Sequence, residues 1–160
     1  KDGLWALISD GQIDMIITDH CDYRKAQKLA VDNFTKTPGG LPGLETLLVL
    51  MATYGVGQGR IDWLDLVRLL AYAPAHIYGL WPKKGALLPG FDADLVLFDP
   101  APEGLLAAEN LHMVAGYTPF EGVQTQGRVV STMVRGEFVV RDGVFAGDEG
   151  SGRFVPRGSA

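Results

Sequence analysis

The sequence predicts an α/β chain that changes character near Lys83, with helices around one buried strand before it and a β-rich stretch after it. Three observations carry that reading. Ile13 to Thr18 is a short, nearly continuous apolar run, the pattern of a strand buried on both faces between helices. Apolar residues at helical spacing flank it on either side. From Val129 to Phe145, three β runs are separated by turn dipeptides.

The elements follow in order. From Asp2 to Asp10, Leu4, Trp5, Leu7 and Ile8 keep helical spacing, and Gly11 supplies a stop. The strand Ile13 to Thr18 comes next, and Asp19, His20 and Cys21 stand directly after it. Folds built on parallel sheets place their chemistry at such strand ends. A long loop from about Asp22 to Leu41 contains Thr37-Pro38-Gly39-Gly40, and loops of that length are often functional. Pro42 suits a helix first turn, with Leu44, Leu47, Leu48 and Met51 on one face before Gly55. Asp62, with Asp65 three residues on, reads as a cap for a helix carrying Leu66, Val67, Leu69 and Leu70. Pro74 to Tyr78 reads as one more short helix closed by Gly79.

Beyond Lys83, Asp94 to Asp99 alternates like a strand that Pro100 and Pro102 end. The runs Val129 to Val134, Phe138 to Val140 and Val144 to Phe145, split by Gly136-Glu137 and Asp142-Gly143, predict a meander of hairpins. The tail from Gly147 to Ala160 is polar and Gly-rich; Val155-Pro156-Arg157-Gly158-Ser159 resembles a protease cleavage site, which would make the last three residues foreign.

Composition narrows the function classes. With 160 residues, 47% of them hydrophobic, and a net charge of -5, the chain suits a globular protein and disfavours nucleic acid or an anionic membrane as partner. Arg24, Lys25 and Lys28 read as a solvated helix face rather than a basic patch. The single cysteine, Cys21, precludes an intrachain disulfide and fits a reducing compartment, the cytoplasm. Leu47 to Ala52, the longest strongly apolar run, is far too short to span a bilayer, and Lys1-Asp2-Gly3 does not resemble a signal peptide. One βα unit cannot close a sheet. The expectation is therefore a part of a larger protein, or a strand that pairs with another chain.

An ordered set of segments then carries a resemblance. Ile16-Ile17-Thr18-Asp19-His20-Cys21, Ala26-Gln27-Lys28, Phe34-Thr35-Lys36-Thr37-Pro38 and Gly40-Leu41-Pro42-Gly43-Leu44-Glu45 begin it. Pro74-Ala75-His76-Ile77-Tyr78-Gly79-Leu80, Lys84-Gly85 and Gly90-Phe91-Asp92-Ala93-Asp94-Leu95-Val96 continue it. Tyr117-Thr118-Pro119-Phe120-Glu121-Gly122, Val134-Arg135-Gly136 and Gly152-Arg153-Phe154 complete it. Together they resemble the cyclic amide hydrolases of hydantoinase and dihydropyrimidinase type, in the amidohydrolase superfamily. The resemblance implies the C-terminal end of a (β/α)₈ TIM barrel plus the C-terminal share of a small β-sandwich. Residues 1–83 would be the last helix, eighth strand and following helices of the barrel, 84–146 the sandwich segment and 147–160 a tail. A barrel takes roughly 250 residues, so most of it would lie outside this chain.

The same resemblance implies metal-dependent hydrolysis of a hydantoin- or dihydropyrimidine-like amide at two zinc ions. Asp19 would bind the more buried ion and contact the bridging hydroxide. Amide hydrolysis needs a nucleophile at neutral pH and a base to pass its proton to the leaving nitrogen, and a carboxylate suits the second task. The plainer reading of Asp19 is a loop cap. The side chain of His20 is expected to point away from that of Asp19, which favours a packed or supporting histidine over a ligand. His76 and His112 lack ligand spacing and receive no role. Cys21 reads either as a thiol lining the pocket or as a small buried residue.

Gly39-Gly40 matches the place where the family holds its cyclic substrate through main-chain groups, against the alternative of an ordinary turn. Hydantoinases usually carry Asn-Gly there, so Gly39 is a departure and leaves ring preference open. Gly-Gly-hydrophobic is closer to allantoinases, and Gly43-Leu44-Glu45-Thr46 resembles dihydroorotases, although Cys21-Asp22-Tyr23 replaces their Ala-Pro-His.

The sequence holds no His-x-His pair and three histidines in all. Asp19 alone cannot hold a dinuclear zinc site. The isolated chain is expected to be inactive and not to retain Zn2+. The implied partners are a small cyclic amide and further copies of the protein. Competing readings are allantoinase- or dihydroorotase-like specificity, a non-catalytic scaffold relative, and a free-standing β-rich binding module, which the buried strand argues against.

Overall fold

A computed structural model of the chain describes residues 1–158. Helix α1 (Asp2–Ser9) buries Ile8 and ends at Gly11, whose φ of 70° is the left-handed stop the sequence predicts. Helix α2 (Lys25–Leu29) and a 3-10 turn at Phe34–Lys36 occupy the long loop. Helix α3 (Leu47–Met51) runs on as a π turn over Ala52–Val56.

Helix α4 (Trp63–Val67) starts at Asp62, whose side chain accepts from Asp65 N at 2.8 Å, the cap expected from that pair. It passes through a π turn, Arg68–Tyr72, into α5 (Ala73–Ile77). The expected separate helix at Pro74 is thus the end of a longer one. Pro74 has no N–H to offer the carbonyl four residues back, and the wide π turn before it lets the helix continue around that missing bond.

Ile8, Met51, Ala52, Ile61, Leu66 and the fully buried Leu69 form the core, with Trp5, Ile13, Ile16 and Phe98 packed against it. Gly55 keeps this core closed, since an added Cβ would stand 2.9 Å from Ile61 Cδ1.

The segment Ile13 to Thr18 differs from expectation. It belongs to no helix or strand; its backbone tie to the core is Ile16 N donating to Leu69 O at 3.2 Å. A strand exists only through its ladder, and among the described residues no parallel neighbour is present beyond the single bridge of His20 with Leu41. The run is apolar as read, but it forms no strand among the described residues.

The β-rich half is a four-stranded antiparallel meander in sequence order: β1 (Leu95–Leu105), β2 (Gln124–Val134), β3 (Glu137–Arg141) and β4 (Val144–Phe145). Asp142-Gly143 takes positive φ as the expected tight turn, while the first turn is Arg135-Gly136, also at positive φ, rather than Gly136-Glu137, because Glu137 already pairs with Val134 in β3. Strand β1 does not end at the prolines. Asp99 faces Arg128 and Glu103 faces Gln126, so Pro100, Ala101 and Pro102 bulge opposite Gly127 alone. Gly127 has φ 88°, and a Cβ there would lie 2.4 Å from Phe98 Cζ. Thr53 and Tyr54 fasten the helices to the sheet through Gln126 and Gln124. No helix among the described residues is long and apolar enough to cross a membrane.

Candidate active site

The sequence-predicted site residues gather where the Ile13 to Thr18 segment ends. Asp19 adopts φ 47°, a left-handed conformation that costs on the order of 1 kcal/mol and that Asp tolerates better than most residues. Its carboxylate is exposed and makes no hydrogen bond or ion pair among the described residues. The next residues tie the chain down: His20 N donates to Thr18 Oγ1 at 3.2 Å, and Cys21 N donates to Leu41 O at 3.0 Å.

His20 serves the backbone of the facing loop. Its Nδ1 accepts from Gly43 N at 3.1 Å and Leu44 N at 3.2 Å. Nδ1 is thus the accepting side of the ring. Cys21 is half-buried and fills the space over Gly40, where an added Cβ would stand 2.5 Å from Cys21 Cβ and 2.6 Å from Sγ. Gly40 itself has φ 91°. Gly39 has open space around it. The turn holding Gly39 and Gly40 is therefore laid against the residues that follow Asp19, and both glycines are exposed.

Two further residues hold this loop in place. Lys28, read above as part of a solvated face, is half-buried, and its ammonium donates to Pro38 O at 2.7 Å and to Gly40 O. Glu45 takes both His112 N and His112 Nδ1 at 2.7 Å, tying the loop to the segment before Ala115. Neither contact has a local sequence signal, because the partners lie from ten to 67 residues apart. His76 is elsewhere, its ring centroid 4.2 Å from those of Tyr72 and Trp81.

No group of three or more His, Cys, Asp or Glu side chains among the described residues is placed to hold a metal ion. Asp19 offers one ligand, and a stable site needs several. These residues alone do not fit a metal.

The helices and the antiparallel sheet together make a partial α/β fold. The amidohydrolase family model matches residues 2–139, and the chain belongs to that family. It is 44% identical over 159 residues to D-phenylhydantoinase of Escherichia coli, covering 98% of this chain and 34% of that protein. It superimposes on a D-hydantoinase (dihydropyrimidinase) from Thermus sp. with a TM-score of 0.92 at 39% identity, over 98% of this chain and 34% of the other. Dihydropyrimidinase from Brevibacillus agri gives 0.94 at 38% identity, over 98% and 34%. The chain spans about a third of the length of the curated relatives it matches.

Proposed function

We propose that this chain is the C-terminal third of an enzyme that hydrolyses the amide bond of a small cyclic amide of hydantoin or dihydropyrimidine type. The observation that supports this best is the match to hydantoinases along 98% of the chain, with Asp19 exposed, unpaired among the described residues, and two residues before the Cys21 that packs on Gly40. Asp19 is assigned the proton work: it takes a proton from the attacking water and returns it to the ring nitrogen as the carbon–nitrogen bond breaks. Main-chain groups of Gly39 and Gly40 are assigned to the substrate's own amide edge, with Cys21 lining the same wall.

The division into barrel residues 1–83, sandwich residues 84–146 and tail 147–160 belongs to this reading. So do a dinuclear zinc centre, a homo-oligomer and a cytoplasmic location. Zinc supplies a water of lowered pKa when bound; apart from Asp19, its ligands would come from outside this chain. Gly39 favours one refinement: the open space there suits an allantoinase-like ring substituent that an Asn side chain would crowd.

The test is an assay of the whole protein against dihydrouracil, hydantoin, allantoin and dihydroorotate, with Asp19→Asn beside it. One of these rings is expected to open, and the variant to lose about 100-fold or more in kcat. Full activity in Asp19→Asn, or no turnover of any of the four, would overturn the assignment.

A further inference from the structure

We propose that Lys28 is a positioning residue, whose ammonium grips the Pro38–Gly40 turn from behind and presents the Gly39 N–H to the substrate side. This rests on the reading of Gly39-Gly40 as a substrate contact.

The geometry begins with where the charge sits. Lys28 lies on α2 with its neighbour Lys25 exposed, yet it is half-buried and reaches ten and twelve residues along the chain. Its Nζ stands 5.7 Å from the centroid of the Tyr23 ring, a cation–π distance that fixes the ammonium from a third direction. An ammonium has three hydrogens and no acceptor, so it serves as a hub for carbonyl oxygens. Here the oxygens belong to the two residues that bracket Gly39.

Peptide planarity turns that grip into an orientation. In a trans peptide the C=O and the following N–H point in opposite directions. The Pro38 carbonyl faces Lys28, so the Gly39 N–H faces away from it. That N–H donates to no acceptor among the described residues. A cation on the carbonyl also polarises the shared peptide group and makes its N–H a stronger donor. Lys28 therefore sets both the direction and the strength of a donor it never touches.

A donor that holds substrate and transition state alike affects binding rather than the chemical step. Lys28→Met keeps the aliphatic stem and removes the charge; Lys28→Arg restores a cation with several donors. In the whole protein, Lys28→Met is expected to raise KM about tenfold with kcat within about twofold, and Lys28→Arg to recover most of that loss. Hydrogen exchange at Gly39 to Leu44 is expected to quicken in Lys28→Met and return in Lys28→Arg.

Unchanged exchange in Lys28→Met would remove the grip itself. Quickened exchange with unchanged KM would keep the grip and overturn its link to substrate. A wild-type protein that opens no cyclic amide would instead overturn the functional reading, and shows itself before any variant is compared.

Discussion

At Gly40 the backbone φ of 91° and the Cys21 side chain 2.5 Å from any added Cβ leave no room for another residue. At Gly39, next to it, nothing stands within 4 Å of an added Cβ. Gly40→Ala is expected to displace the turn and lower kcat/KM in the whole protein, while Cys21→Ala in the same chain relieves part of the clash. Gly39→Asn is expected to change stability by no more than about 0.5 kcal/mol and to shift preference among ring substrates. Thermal midpoints and substrate ratios read both. An Ala at 40 that leaves both untouched would show that the turn gives way easily. At this scale type and order single out Asp19, Cys21 and the glycine pair as candidates, and the structure sets Cys21 against Gly40. Lys28 is not singled out, since a helical pattern reports only neighbours three or four residues away and its carbonyls lie beyond that reach. Glu45 and His112 escape for the same reason.

Between elements, one charge cluster closes the junction of helices and sheet. Lys84 pairs with Asp92 at 2.9 Å and Asp94 at 2.5 Å, and Asp94 also accepts from Arg135 N at 2.8 Å in the β2–β3 turn. Burial works against the Lys84 charge, but hydrogen bonds to Asp94 and Asp92, and their negative charges, outweigh it and hold its pKa above the ordinary value. The hydrogen bond from Lys84 holds Asp92 below the usual carboxylate range, against a smaller opposing effect of burial. A lowered acid stabilises fully above its unfolded pKa, roughly 4, and loses that as pH falls through its folded value. A raised base stabilises fully below roughly 10.4 and loses that as pH rises through its folded value. The loss of thermal midpoint in Lys84→Met is therefore expected to be flat from about pH 5 to 9 and to shrink toward pH 3. A loss that grows on acidification would contradict the pairing. Capping at Asp62 and the Asp142-Gly143 turn are legible in advance because local chemistry decides them, whereas the first hairpin turn falls one residue earlier than expected, on Arg135-Gly136, with Glu137 already in β3. The long β1 is not legible either: a bulge of three residues against Gly127 depends on the strand opposite.

Across the whole chain, several large apolar side chains stand in water. Ile17 is 56% exposed, Leu97 57% and Phe145 63%. Residues 1–160 alone are expected to show no turnover, to keep well under one equivalent of zinc after dialysis, and to self-associate through these faces. Metal analysis and light scattering check this; stoichiometric zinc with turnover would contradict it. The α/β class and the meander are readable from pattern alone, whereas the state of Ile13 to Thr18 is not, because a ladder needs two sides. The bulge in β1 has a consequence for such self-association. Pro100 and Pro102 have no N–H to offer, so a foreign strand zipping along this edge stalls after Asp99. Fibre growth from this rim is therefore expected to stop short, and clumps formed by the chain are expected to dissolve in mild detergent.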